Sequence, residues 1–225
     1  ACLTALILFA WIDRAIGRRA AWRAALIFPT FIEVAILARF ASTDMLLTAC
    51  ITGALAAFWR IESREDSDPR CCRAARLGFW LALGVGVVVK GHIAPVVALA
   101  VLVAYGALTR RWRAVRSLLH WDGFLVFLAL AIPWFGTVIR LEPRLLDFYF
   151  GHEIRDRTFD GVGRRKPFWY FAAALPGGLF PWTFCILPAL SALFRRRPDV
   201  GDAGPQKSIE RFLAGWSVAA FIVFL

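Results

Sequence analysis

The chain has 225 residues, 60% of them hydrophobic, and a mean hydropathy of +0.62. A soluble domain is usually about 45–50% apolar, and apolar runs recur along this whole length. One soluble core is therefore excluded, and a polytopic helical membrane protein takes its place. The formal net charge is +11, from 27 Lys and Arg against 16 Asp and Glu. These cations sit in short loops between apolar runs rather than along one stripe, which points to membrane topology and away from nucleic acid.

The apolar runs fall at about residues 1–12, 24–38, 45–59, 77–89, 93–108, 123–139, 168–194 and 212–225. Several are shorter than the ~20 residues that cross ~30 Å of hydrocarbon. Flanking arginines can snorkel and lengthen the effective span. The expected fold is all-α: one polytopic transmembrane helical bundle with an extracytoplasmic loop at 140–167. Trp11, Trp22, Trp59, Trp121 and Trp169 stand at run ends, where interfacial aromatic belts form. The chain starts and stops inside apolar runs, which reads as a fragment of a longer protein.

Loops 13–23, 60–76, 109–122 and 195–211 hold 4, 5, 4 and 5 Lys or Arg. The alternate set is Arg39, Lys90 and seven cations in 140–167. The richer set faces the cytoplasm by the positive-inside rule. Loop 60–76 also carries Glu62, Glu65, Asp66 and Asp68 and is expected to be solvated. The unusual residues Arg39, Asp44, Lys90, His92 and His152 to Arg157 then share the opposite face.

Glu33 lies within the run 24–38, and an acid inside a span by default faces a cavity or a partner. In "ARFASTDMLL", Asp44 has two readings: it caps the helix that follows, or it joins Arg39 in a polar pocket wall. Lys90 closes "GVGVVVKGH". It can complement a helix C-terminus followed by a C′ glycine. It is also one of only three lysines in the chain, and an ammonium is a compact charge suited to phosphate oxygens. "GVG" is no dinucleotide loop, because it sits in an apolar run with no strand before it.

The loop "RLEPRLLDFYFGHEIRDRTFDGVGRRKPFWY" mixes apolar and charged residues and is expected to lie partly in the interface as a helix. His152 and Glu153 offer metal ligands, and Arg155 and Arg157 offer phosphate donors. "HEIRD" is no zincin motif, because Asp156 stands where the second histidine belongs. In "LPGGLFPW", Pro176, Gly177, Gly178 and Pro181 bend or end a helix. The run 168–194 is then one bent span, or a short element followed by a span. Of the five cysteines, Cys2, Cys50 and Cys185 lie in apolar runs and Cys71-Cys72 in a basic loop. No spacing suggests zinc or a disulfide framework.

"ARFASTDMLLT", "VVVKGHIAPVV" and "FYFGHEIRDRTF…RRKPFWYF…PGGLFPWTFCILPAL" occur in an order that resembles the lipid-carrier-dependent glycosyltransferases of the GT-C fold. The nearest likeness is to the aminoarabinose transferase and protein mannosyltransferase group, over most of residues 24–194. Gly91-His92 departs from that group's usual Gly-Pro. The resemblance implies an inverting bacterial inner-membrane enzyme that takes a sugar from a polyprenyl-phosphate carrier. It passes that sugar to a lipid, glycan or protein acceptor on the extracytoplasmic face. It implies that Lys90 and Arg157 hold the carrier phosphate, with Asp44 and Arg39 in the same pocket. It also implies that His152 contacts a divalent metal, zinc or magnesium or manganese. The principal catalytic carboxylate would then precede Ala1. The competing reading is a multispan transporter or flippase-like protein, which would place its charges and broken helices near mid-membrane in paired halves.

Overall fold

The computed structural model describes residues 1–40, 42–63, 69–142 and 168–185, with single positions 188, 191, 209, 212, 213, 215 and 216 beyond them. Among the described residues every regular element is a helix. We label them α1 (Cys2–Ala15), α2 (Arg18–Ile27), α3 (Ile32–Arg39), α4 (Asp44–Glu62), α5 (Pro69–Lys90), α6 (Ile93–Thr109), α7 (Trp112–Ser117), α8 (Trp121–Leu141) and α9 (Phe168–Gly178). Short 3-10 turns follow α2 at Phe28–Thr30 and α9 at Trp182–Cys185.

Helices α4, α5 and α8 are each long and apolar enough to cross a membrane. Helix α4 is central, with 61% of its span buried, whereas only 6% of the α8 span is. Leu55 and Phe58 of α4, Phe79 and Leu83 of α5, and Val101 of α6 are fully buried together. Phe212 reaches this cluster from late in the chain and packs on Trp11, Phe58, Trp59 and Tyr105. Small residues set how closely the helices approach, as is usual where lipid gives helices no hydrophobic reason to associate. A Cβ on Gly86 of α5 would stand 2.6 Å from that of Ala94 and 3.4 Å from that of Cys50.

Gly123, near the start of α8, has the tightest seat. A Cβ there would lie 2.2 Å from Trp80 Cδ1, and the Trp80 indole N–H donates to Leu118 O at 2.8 Å. Gly123→Ala is expected to push Trp80 off that carbonyl and destabilise the fold by about 1–3 kcal/mol. The thermal midpoint of the purified protein in detergent measures it, and an unchanged midpoint rejects the packing argument.

The run 24–38 is not one helix. Pro29 sits in the 3-10 turn, Phe31 is extended, and the two halves meet at 63°. Glu33 therefore lies in the first turn of α3, where an acid opposes the positive helix end. Loop 60–76 is also shorter than the charge pattern suggests: α4 runs to Glu62 and α5 begins at Pro69, so Arg70, Cys71, Cys72, Arg73 and Arg76 are helical. Glu62, expected in solvent, is buried. Its carboxylate accepts from the Tyr105 hydroxyl at 2.7 Å and from Arg111 at 3.1 Å. Trp11 and Trp59 are core residues at 4% exposure, because Phe212 covers them. Trp22 and Trp121 are exposed, as a belt residue would be.

The helices gather the cation-rich segments at one end. Arg14 and Arg60 line one cleft there. Arg111 meets Glu62, and Arg76 is bidentate on Asp122 at 2.8 and 2.6 Å. The starts of α4 and α6 and the end of α5 form the opposite end.

Candidate functional site

At that opposite end, Lys90 and Asp44 meet. They are 46 residues apart in sequence, and the Lys90 ammonium donates to Asp44 Oδ1. Helix α5 delivers Lys90 as its last residue. The chain then turns within Gly91-His92 into α6. Gly91 adopts φ 68°, the left-handed region a glycine C′ residue occupies, and its N–H donates to Val87 O at 2.8 Å. The Gly-His pair thus makes the tight turn that the lysine's placement needs.

Asp44 opens α4 but is not the capping residue. Thr43 holds that position without a side-chain cap bond. Ser42 does the local work instead. Its hydroxyl donates to Asp44 Oδ2 at 2.5 Å and accepts from the Asp44 backbone N–H at 3.2 Å. The carboxylate is therefore held from two sides, by Ser42 and by Lys90. Neither side chain of the pair is buried: Lys90 is 37% and Asp44 36% exposed. An ammonium has three donors, and Asp44 takes one. The pair is a fixed, accessible charge site.

Arg39 ends α3 and is exposed, and it makes no ion pair among the described residues. The structure does not bring it into the Asp44–Lys90 pair. His152 and Arg157 lie outside the described residues. Among the described residues, no group of three His, Cys, Asp or Glu side chains is placed to hold a metal.

A second polar contact surrounds the break before α3. The Ile32 N–H donates to Phe180 O at 3.0 Å, and the Trp182 indole N–H donates to Thr30 Oγ1 at 2.7 Å. A Cβ on Gly178 would stand 2.5 Å from Glu33 Oε2. The "LPGGLFPW" segment is thus a short helix end and turn seated against α3. Glu33 is exposed on α3, with the Gly178 backbone close against its side chain. The sequence reading missed Ser42, although S-x-D at a helix start is a signal for such a bond. It also missed Gly178, whose role shows only once α9 is laid on α3.

The family model described as "Dolichyl-phosphate-mannose-protein mannosyltransferase" matches residues 1–149. The chain belongs to this family. An undecaprenyl phosphate-alpha-4-amino-4-deoxy-L-arabinose arabinosyl transferase of Edwardsiella ictaluri is 30% identical over 227 residues, which cover 99% of this chain and 39% of that protein. A transferase of the same name from Aeromonas salmonicida is 31% identical over 168 residues, covering 73% of this chain and 30% of its own length. Among solved structures, ArnT from Cupriavidus metallidurans bound to undecaprenyl phosphate superposes with a TM-score of 0.84 at 25% identity. That match covers 98% of this chain and 38% of ArnT. The apo form gives 0.82. The helical GT-C architecture expected from the sequence is therefore the observed one, and the chain spans 39% of the length of the first of these relatives.

Proposed function

We propose that this chain is part of a membrane glycosyltransferase that takes its sugar from a polyprenyl-phosphate carrier, an undecaprenyl phosphate in the relatives named above. The acceptor is a lipid, glycan or protein on the extracytoplasmic face of a bacterial inner membrane. The observation that carries this reading is the Lys90–Asp44 pair. It is exposed, locked by Ser42, and set at the end of the bundle away from the cation-rich loops.

The chemistry suits it. The carrier phosphate is the leaving group, and negative charge grows on it as the glycosidic bond breaks. A cation already fixed in place stabilises that charge without having to reorganise. Asp44 orients the ammonium and leaves two of its donors for phosphate oxygens. The carrier is a lipid, so its phosphate stays at headgroup depth, where α5 ends. Arg157 is proposed as the second phosphate donor and Arg39 as a more distant contributor to the field. The general base is proposed to come from outside this stretch of chain.

Asp44→Asn keeps the shape but removes the charge that directs Lys90. In the full-length protein it is expected to lower transfer about 10–100-fold, the usual effect of losing an orienting partner. A kinetic assay with lipid-linked donor measures this, and parental activity in Asp44→Asn rejects the pair as the phosphate site. Arg157→Ala tests the second donor in the same assay.

A divalent metal at His152 is proposed from the family resemblance alone. Chelator titration of the full-length protein tests it. Loss of transfer that added metal restores supports the site. Chelator-insensitive transfer, with an active His152→Ala variant, rejects it.

A further inference from the structure

The end of the bundle opposite Lys90 holds a cleft of about 310 Å³ between α1, α4 and α5. That is the lower end of the ~300–1,000 Å³ typical of ligand pockets. Its floor is made of small residues, among them Ala10, Gly53, Ala57, Ala75 and Gly78. Alanine and glycine offer an acyl chain apolar contact and no side-chain hydrogen bonds. Two cations, Arg14 in the last turn of α1 and Arg60 in the last turn of α4, also line the cleft. Among the described residues neither makes an ion pair, while Arg76 and Arg111 nearby both do.

Helix-dipole complementation explains one arginine at each helix end. It does not explain why two guanidinium groups with no ion pair among the described residues line the same cleft.

We propose that this cleft binds an anionic phospholipid of the leaflet at the cation-rich end. Arg14 and Arg60 take its headgroup phosphate, and an acyl chain lies along the alanine and glycine floor. Arginine is the cation best shaped for phosphate oxygens, and basic pockets between membrane helices on the cytoplasmic side are a recurrent way to hold lipid headgroups. The site is separate from the donor-phosphate site and does not rest on the transferase reading.

The test uses the full-length protein, delipidated in mild detergent and titrated with phosphatidylglycerol, with retained lipid counted by native mass spectrometry. Saturable retention is expected. The double variant Arg14→Gln/Arg60→Gln should weaken it about tenfold or more. Ala57→Leu, which fills the floor and keeps both charges, should do likewise. Lys90→Ala should leave it unchanged, so a failed donor site and a failed lipid site are told apart. Should the double variant not fold, Arg60→Gln with rescue by Arg60→Lys gives the same comparison. Parental retention in both the charge and the floor variants overturns the proposal. Equal displacement by inorganic phosphate overturns it too, because that marks a free-anion site. So does a disulfide cross-link from Ala57→Cys to another segment of the same chain, because the cleft is then filled by protein.

Discussion

Lys90→Ala is expected to lower sugar transfer by the full-length protein about 10²–10³-fold, the range seen when one preorganised electrostatic contact to a developing charge is removed. Insertion and thermal midpoint should stay close to the parent, because the Asp44–Lys90 pair is more than one-third exposed on each side and such pairs contribute about 0–1 kcal/mol to stability. Asp44 keeps its bond from Ser42 in the variant, so no buried charge is left behind. The effect should fall on kcat more than on KM, since the phosphate becomes most negative as the bond breaks. Lys90→Arg keeps the charge but replaces a compact ammonium with a planar fork, and partial recovery is expected. Full activity in Lys90→Ala, measured with lipid-linked donor, would remove the pair from the mechanism.

Arg111→Ala is the largest expected loss of stability, about 3 kcal/mol. Glu62 is 6% exposed, and Arg111 is the cation that meets it. Removing one partner of a buried pair typically costs about 3–5 kcal/mol, because the other charge is stranded. The lower figure is expected here because Arg111 is itself 46% exposed and the Tyr105 hydroxyl still donates to Glu62. Unfolding in detergent measures the loss. Adding Glu62→Gln should recover part of it, since the stranded charge is then gone. A double variant no better than Arg111→Ala would show that a stranded Glu62 charge is not the source of the loss.

The architecture was legible because its signals are local. Runs such as 45–59 and 123–139 carry their own hydrophobicity, and arginines mark the ends that do not enter lipid. Lys90 was legible for a similar reason: a rare lysine before a glycine at a helix end is a local pattern, and Gly91 adopts the backbone that pattern requires. What stayed hidden depends on distant partners. Nothing near Glu62 says that Tyr105 and Arg111 will cover it, so its acidic neighbours made it look solvated. Trp11 and Trp59 stand at run ends like belt residues, and Phe212 and Trp216, far along the chain, help make them core. Pro29 was visible, but the 63° angle it accompanies was not. The local bond from Ser42 to Asp44 could have been read from sequence, since it spans two residues.

Helix α4 is fastened at both extremities, by Lys90 on Asp44 and by Tyr105 and Arg111 on Glu62. Its 19 residues amount to about 28 Å at 1.5 Å of rise each, close to the ~30 Å of a bilayer's hydrocarbon. Tied at both ends to its neighbours, α4 tilts together with α5 and α6 rather than alone. The less enclosed α8 is freer to adjust on its own to a thinner or thicker bilayer, so acyl-chain length becomes a physical variable for this fold.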